Sequence, residues 1–287
     1  MKKQLILSIL LFCFSFWGNA KVWTLTDKNL EVRFDDQTAS LSVTDKRCNK
    51  VWEQSSINDQ FEVKNIVQKG NALQFQLSGK TILDVEIELT ASSSLDFKIS
   101  GDTKMEFDEI TFPAAFKMPD KSHYILETDG EGLLLAADDI EYPLGGGVSY
   151  YTGGGLSMVW VGVTDSEFKT GYMAILETPY DAALRTVRVD GLITFSPVWL
   201  PSMQQFGYSR KVSYHFFNEG GYVAQCKQYR DFIWPKNQVT SLKEKQKRFP
   251  AMEKMIGGIH IYVWDDARNV EFAKELKNSG IEKALFL

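Results

Sequence analysis

Three pairs of adjacent carboxylates, Asp35-Asp36, Asp138-Asp139 and Asp265-Asp266, are the side chains of this sequence best suited to acid–base or hydroxyl-binding chemistry. Neighbouring residues on a strand point to opposite faces, so adjacency alone makes none of them a catalytic pair. The first two pairs read as ordinary turns. Asp265 is different, because it follows the apolar segment Ile259 to Trp264. An indole stacks on a sugar ring, and a carboxylate beside it accepts hydrogen bonds from the ring's hydroxyls. The competing role for Asp265 or Asp266 is to cap the helix that follows, and one acid can do each job. Gly145-Gly146-Gly147 and Gly153-Gly154-Gly155 flank Val148 to Thr152. They read either as hairpin turns or as a loop presenting Tyr150 and Tyr151 to a ligand. No G-x-S-x-G, H-E-x-x-H, P-loop or G-x-G-x-x-G occurs, which removes the usual hydrolase-elbow, zinc-protease and nucleotide signatures.

The elements that must position these residues fall into three stretches. From Val22 to about Phe217 the chain reads as strands. Leu30, Val32 and Phe34 alternate with polar residues, as do Leu73, Phe75 and Leu77, and Leu95, Phe97 and Ile99. Period-two alternation with frequent turn signals predicts a large antiparallel sandwich. Leu156 to Val163 and Tyr172 to Leu176 are continuously apolar, which predicts strands covered on both faces. The second stretch is helical. Tyr222, Cys226, Tyr229 and Ile233 form one helical stripe, stopped by Pro235. Ser241 and Glu244 have capping-box spacing and open a basic helix that runs to about Phe249. Its lysines read as a solvated face, with a nucleic-acid patch as the lesser reading. The last stretch is strand, helix, strand: Ile259 to Trp264, a helix with Val270, Ala273 and Leu276 inward and Gly280 at its end, then Ile281 to Leu287. That is one parallel βαβ unit. Parallel strands need cover on both faces, so the sequence reads as the front part of a longer or truncated protein.

Composition bounds what remains. Of 287 residues, 44% are hydrophobic and 24% charged, which is globular and excludes disorder and collagen. The net charge of −5 offers nucleic acid no basic excess. The 13% of aromatics suits a β-rich core or a sugar-binding surface. Lys2 and Lys3, the apolar Leu5 to Phe16, and Gly18-Asn19-Ala20 have the layout of a secretory signal cleaved near Ala20. That apolar run is too short to span a bilayer core of roughly 30 Å, so no stable membrane insertion is expected. Two cysteines remain beyond it, Cys48 and Cys226. One disulfide is allowed, but two isolated thiols are favoured, with Cys226 buried on its helical stripe. The cysteine and histidine spacings support no metal site, and no cofactor is expected.

A family resemblance rests on the order of several pieces. Leu41-Ser42-Val43-Thr44-Asp45-Lys46 with Val51-Trp52 looks like the opening of the sandwich that precedes a catalytic barrel in certain glycosidases. Gly221-Tyr222-Val223-Ala224, Lys227 and Tyr229-Arg230 resemble the helix leaving that sandwich. Lys243-Glu244-Lys245, Pro250 and Glu253-Lys254-Met255-Ile256-Gly257-Gly258 resemble the approach to the first barrel strand. Together they resemble glycoside hydrolase family 129 and its relative, family 101, which act on α-linked N-acetylgalactosamine of mucin-type glycans. The resemblance implies a galactose-mutarotase-like super-sandwich, a helical linker and the first βαβ unit of a (β/α)8 barrel. The corresponding divisions are signal peptide 1–20, sandwich 21–218, linker 219–256 and barrel start 257–287. It implies a retaining mechanism with two carboxyls roughly 5–5.5 Å apart. Both belong to later barrel strands, so no catalytic residue is assigned here and the chain alone is expected to be inactive. Asp265 carries over as a sugar-hydroxyl ligand, with Trp264 beside it, and the implied partner is a glycan in a secreted or periplasmic setting. The reading from another class is a non-catalytic carbohydrate-binding sandwich, with Tyr150, Tyr151 and Trp199 in aromatic-rich turns.

Overall fold

The computed structural model describes residues 21–57, 59–130, 132–142, 148–150, 155–236, 239–262 and 268–286. The chain divides into two compact units, Met1–Tyr229 and Arg230–Leu287. The first unit holds seventeen strands among the described residues: β1 (Val22–Thr26), β2 (Leu30–Asp35), β3 (Ser40–Asp45), β4 (Lys50–Glu53), β5 (Glu62–Lys69), β6 (Ala72–Ser78), β7 (Ile82–Leu89), β8 (Ser94–Ser100), β9 (Ile110–Thr111), β10 (Tyr124–Asp129), β11 (Leu133–Ala136), β12 (Val148–Tyr150), β13 (Leu156–Thr164), β14 (Gly171–Leu176), β15 (Ala182–Val189), β16 (Leu192–Trp199) and β17 (Arg210–Phe217). They form a nine-stranded sheet ordered β11-β10-β13-β14-β17-β8-β7-β6-β5 and two four-stranded sheets, β1-β2-β3-β4 and β12-β15-β16-β9. The pairing throughout this unit is antiparallel, as the alternation requires.

One face of the nine-stranded sheet builds the core. Register places Val161, Ala174, Tyr214 and Leu95 side by side across β13, β14, β17 and β8. Tyr172 lies at the centre of an aromatic layer fed by all three sheets. Its ring meets Trp52 of β4 at 5.0 Å, Phe116 at 5.2 Å and Phe195 of β16 at 5.8 Å between centroids. Phe34 of β2 stacks on Phe75 of β6 at 4.9 Å, joining the first small sheet to the large one. Offset and edge-on pairs at these distances add to the burial of large rings.

The other face explains why β13 and β14 lack alternation. Every residue of β14 is buried. Helix α1 (Gly221–Ile233) lies against this face and buries Gly221, Gln225 and Tyr229. Gln225 Nε2 donates to the Val163 carbonyl at 2.8 Å, and the Tyr229 ring lies 6.1 Å from Trp160. The close approach depends on glycine. A Cβ at Gly162 or Gly171 would strike the Gln225 side chain or the Val163 backbone. Gly221 adopts φ +47, and a Cβ there would strike the Phe168 backbone. The apolar stripe read from the sequence is therefore rotated. Tyr222 is 41% exposed and Cys226 faces solvent instead of packing as a buried thiol. Cys48 and Cys226 are unpaired, so no disulfide joins them.

The outer edge strand β5 is mostly exposed and carries Lys64 and Lys69, with a register shift between Lys64 and Val67. Charge and a bulge are ordinary protection for an unpaired edge.

The second unit contains α2 (Leu242–Arg248), β18 (Ile259–Ile261), α3 (Asn269–Asn278) and β19 (Ala284–Phe286). The capping box is present: Ser241 accepts from the Glu244 amide at 3.2 Å, and Glu244 accepts from the Ser241 amide at 2.9 Å. Strands β18 and β19 are parallel, pairing Ile259 with Ala284 and Ile261 with Phe286. Within this unit α3 buries no residue, and Val270 is 68% exposed. No helix among the described residues is long and apolar enough to cross a membrane.

The clamp at Gly162 is testable. Gly162→Ala overpacks the Gln225 contact, and the expected loss is roughly 1–3 kcal/mol in denaturant unfolding. Pairing it with Gln225→Ala should recover part of that loss. Equal stability of Gly162→Ala and the parent would contradict the close approach.

Candidate functional site

The sequence places its sugar-binding candidates at the carboxyl end of β18. In the parallel β18–β19 pair both carboxyl ends open onto the same edge. Tyr262 leaves β18 there and is 75% exposed. Trp264 and Asp265 follow at the next positions and lie outside the described residues, as does Asp266. Arg268 is the N-cap of α3, with no side-chain capping bond, so the cap expected from Asp265 or Asp266 falls to a different residue. Helix α3 gives way at Ser279 and Gly280, the latter at φ +82, as a glycine stop requires.

The alternative binding surface loses one member. Trp199 is 1% exposed and its indole Nε1 donates to the Phe112 carbonyl at 2.7 Å. It closes the core, where a buried indole needs an acceptor. Tyr150 ends β12 opposite Ala183, and Tyr151 lies outside the described residues. The two earlier acid pairs serve turns. Asp35 accepts from the Gln37 amide at 2.8 Å, Asp36 from Trp23 Nε1 at 3.2 Å, and Asp139 from the Glu141 amide at 2.9 Å. Among the described residues no group of three or more His, Cys, Asp or Glu side chains converges on a metal position.

Two polar arrangements in the first unit were not anticipated. The first joins β10 to Tyr142, in the segment that follows β11. Tyr142 Oη donates to Glu127 Oε2 at 2.8 Å, with Glu127 5% exposed. Burial and then the Glu127 carboxylate push the Tyr142 phenol up to about 12, so it acts as a fixed donor at ordinary pH. The signal for Glu127 was present. It shares the parity of Ile125, so an acid stands where the strand's pattern asks for an apolar residue. The second centres on His215 of β17. Burial lowers its imidazole to about 4, against a smaller upward pull from Asp96. Its Nε2 is buried and without a hydrogen-bond partner. His215 also lines a cavity of about 300 Å³ with Asn29, Arg47, Ser93 and Gln228. That cavity gathers five separate segments of chain, so no local motif announces it.

Comparison with known proteins follows from this fold. A family model described as a domain of unknown function, DUF4094, matches residues 1–95, a third of the chain. No curated protein matches. Among solved structures, the chain is similar to the α-N-acetylgalactosaminidase NagBb from Bifidobacterium bifidum in its complex with GalNAc. The TM-score is 0.76 at 18% identity, over 92% of this chain and 51% of that one. The ligand-free form of the same enzyme gives 0.74 over the same shares. A galactose mutarotase related enzyme from Lactobacillus acidophilus gives 0.42 at 12% identity, over 69% of this chain and 98% of that one. The chain thus spans about half the length of NagBb, and at this identity what the two share is the fold.

His215 gives the site a pH signature. A folded-state value near 4 against an ordinary 6.5 means that the unfolded chain binds the proton more tightly. Stability from this group is complete above the ordinary value and is lost as pH falls through the window from about 6.5 to about 4. His215→Gln should therefore flatten the fall in Tm across that window. An unchanged acid slope would show that His215 is solvated in the folded protein.

Proposed function

We propose that this chain is the front portion of a secreted, retaining glycoside hydrolase that acts on α-linked N-acetylgalactosamine or related glycans. The carrying observation is the order of elements. A multi-sheet antiparallel β unit leads into α1, then a capped basic helix, then a parallel strand–helix–strand unit, and this order aligns over 92% of the chain with half of a GalNAc-active enzyme. In this reading residues 1–20 direct export, 21–218 form the sandwich, 219–256 the linker and 257–287 the first βαβ unit of a (β/α)8 barrel. The carboxyl ends of barrel strands are where such enzymes build their sites, which puts Asp265 and Trp264 against substrate. The Asp265 carboxylate accepts hydrogen bonds from sugar hydroxyls, and Trp264 offers its face to the ring. Both hold and orient the substrate. The nucleophile and the acid/base of the retaining reaction, roughly 5–5.5 Å apart, come from barrel strands beyond Leu287.

The test compares hydrolysis of an aryl α-N-acetylgalactosaminide by residues 21–287 and by the protein continued through the coding sequence that follows. Activity is expected only in the continued protein. There, Asp265→Asn should lower kcat/KM roughly 10- to 100-fold, the worth of a charge-assisted hydrogen bond of about 1.5–3 kcal/mol. Activity in the short chain would place the catalytic acids among the residues present. Silence of both proteins would remove the glycosidase reading.

A further inference from the structure

The cavity around His215 is assembled from five segments of the first unit. It lies between the turn joining β1 to β2, the turn after β3, the turn joining β7 to β8, the end of β17 and one flank of α1. Its volume of about 300 Å³ is at the small end of ligand sites, which run from roughly 300 to 1,000 Å³. That suits one ring rather than an extended molecule. Amide, hydroxyl and imidazole groups line it, with Phe216, Phe217 and Ala224 supplying apolar surface.

The rim is ordered before any ligand arrives. Asp27 accepts from the Asn29 amide at 2.7 Å, the Leu30 amide at 2.7 Å and Ser93 Oγ at 2.5 Å. Asn29 Nδ2 in turn donates to Ser93 Oγ at 2.9 Å. Ser92 is tied to Thr90 through their hydroxyls at 2.9 Å. These bonds fix two turns 64 residues apart in one geometry.

Charge selects the ligand class. Arg47 is the cation in the lining, and buried Asp45 balances its charge. Its Nε and one terminal nitrogen donate to the two oxygens of buried Asp45 at 2.8 and 2.6 Å, and that nitrogen also donates to the Phe216 carbonyl at 2.8 Å. Glu219 adds a negative charge. An anion therefore meets a cation that Asp45 already neutralises, beside the carboxylate of Glu219. His215 contributes a neutral ring whose Nε2 is buried and unpartnered. A buried polar atom left without a partner costs about 1–3 kcal/mol, and a ligand hydroxyl regains much of that if the ring turns this edge to the cavity.

We infer that this cavity is a second, non-catalytic sugar site, which holds a single neutral pyranose unit through His215, Asn29, Gln228 and the Ser92–Ser93 turn. The inference stands on the cavity's own chemistry and survives if the glycosidase reading fails. The site would tether a glycan by the sandwich, independently of any cleavage at the β18 edge.

The test uses residues 21–287 with N-acetylgalactosamine, galactose and glucose as neutral probes and sulfate and acetate as anionic ones, read by calorimetry and saturation-transfer NMR. Millimolar binding of at least one neutral sugar is expected, with no binding of the anions. Ser92→Trp blocks the rim from an exposed turn position, and His215→Leu removes the unpartnered nitrogen. Each should weaken binding about tenfold or more, with circular dichroism melting used to confirm that both variants fold. In the continued protein, Ser92→Trp should leave kcat on the aryl substrate unchanged, which separates this site from the catalytic one. The inference is overturned if none of the three sugars binds, if an anion binds in their place, or if Ser92→Trp binds as the parent does.

Discussion

The first unit depends on burying β13 and β14 on both faces at once. A strand pair covered on one side can alternate apolar and polar residues; one covered on both cannot, and it needs a second layer close enough to exclude water. Here the inner cover is the aromatic layer around Tyr172, and the outer cover is α1. The outer cover works only because Gly162 and Gly171 remove the side chains that would hold the helix away. Gln225 fills the space they leave and converts it into a hydrogen bond to Val163. A fully buried amide is costly unless paired; this seating pairs the Gln225 Nε2 and leaves its Oε1 buried without a partner. The same seating brings Ala224 and Gln228 to the polar cavity beside His215. The clamp that closes the sheet therefore also walls the candidate sugar pocket.

The parts of this fold that were legible in the sequence are those with local periodicity. The alternating runs of β2, β6 and β8, the unbroken apolar runs of β13 and β14, the capping box of α2 and the final strand–helix–strand each announce themselves within about a dozen residues. The face of α1 was not legible. Apolar periodicity selects Tyr222, Cys226, Tyr229 and Ile233, whereas the glycine gap about 60 residues upstream selects Gly221, Gln225 and Tyr229, so Tyr229 alone is common to both. A steric vacancy in one element cannot be read from the hydrophobicity of another. Trp199 was misread for a related reason. Its partner strand β9 has two residues, Ile110 and Thr111, which is too short to show any period. Without β9, Trp199 before Leu200-Pro201 resembles an exposed turn aromatic; with it, the indole is enclosed and bonded to Phe112.

Site residues follow the same division. An acid that breaks a strand's parity, as Glu127 does, is visible once the strand is recognised. The His215 cavity is assembled from loops that lie as far apart as Asn29 and Gln228, and none of its members stands in a motif. Such sites are set by where a topology brings loop ends together, and that is the level at which sequence reading of a single chain fails.

The acids of the first unit bear on where hydrolysis would occur. A retaining mechanism needs two carboxyls facing one ring with neither committed elsewhere. Among the described residues, Asp27, Asp35, Asp139 and Asp165 are occupied by turn amides and hydroxyls. Asp45 is locked to Arg47, and Glu127 to Tyr142. Asp181 accepts from Tyr208 at 2.7 Å and lies 3.7 Å from the buried Arg210. Each of these carboxylates secures a turn, accepts from a phenol or neutralises a cation, and recruiting one for bond cleavage would leave its partner unpaired at a cost of about 1–3 kcal/mol. Burial keeps the His215 imidazole neutral at physiological pH, and its Nε2 has no hydrogen-bond partner.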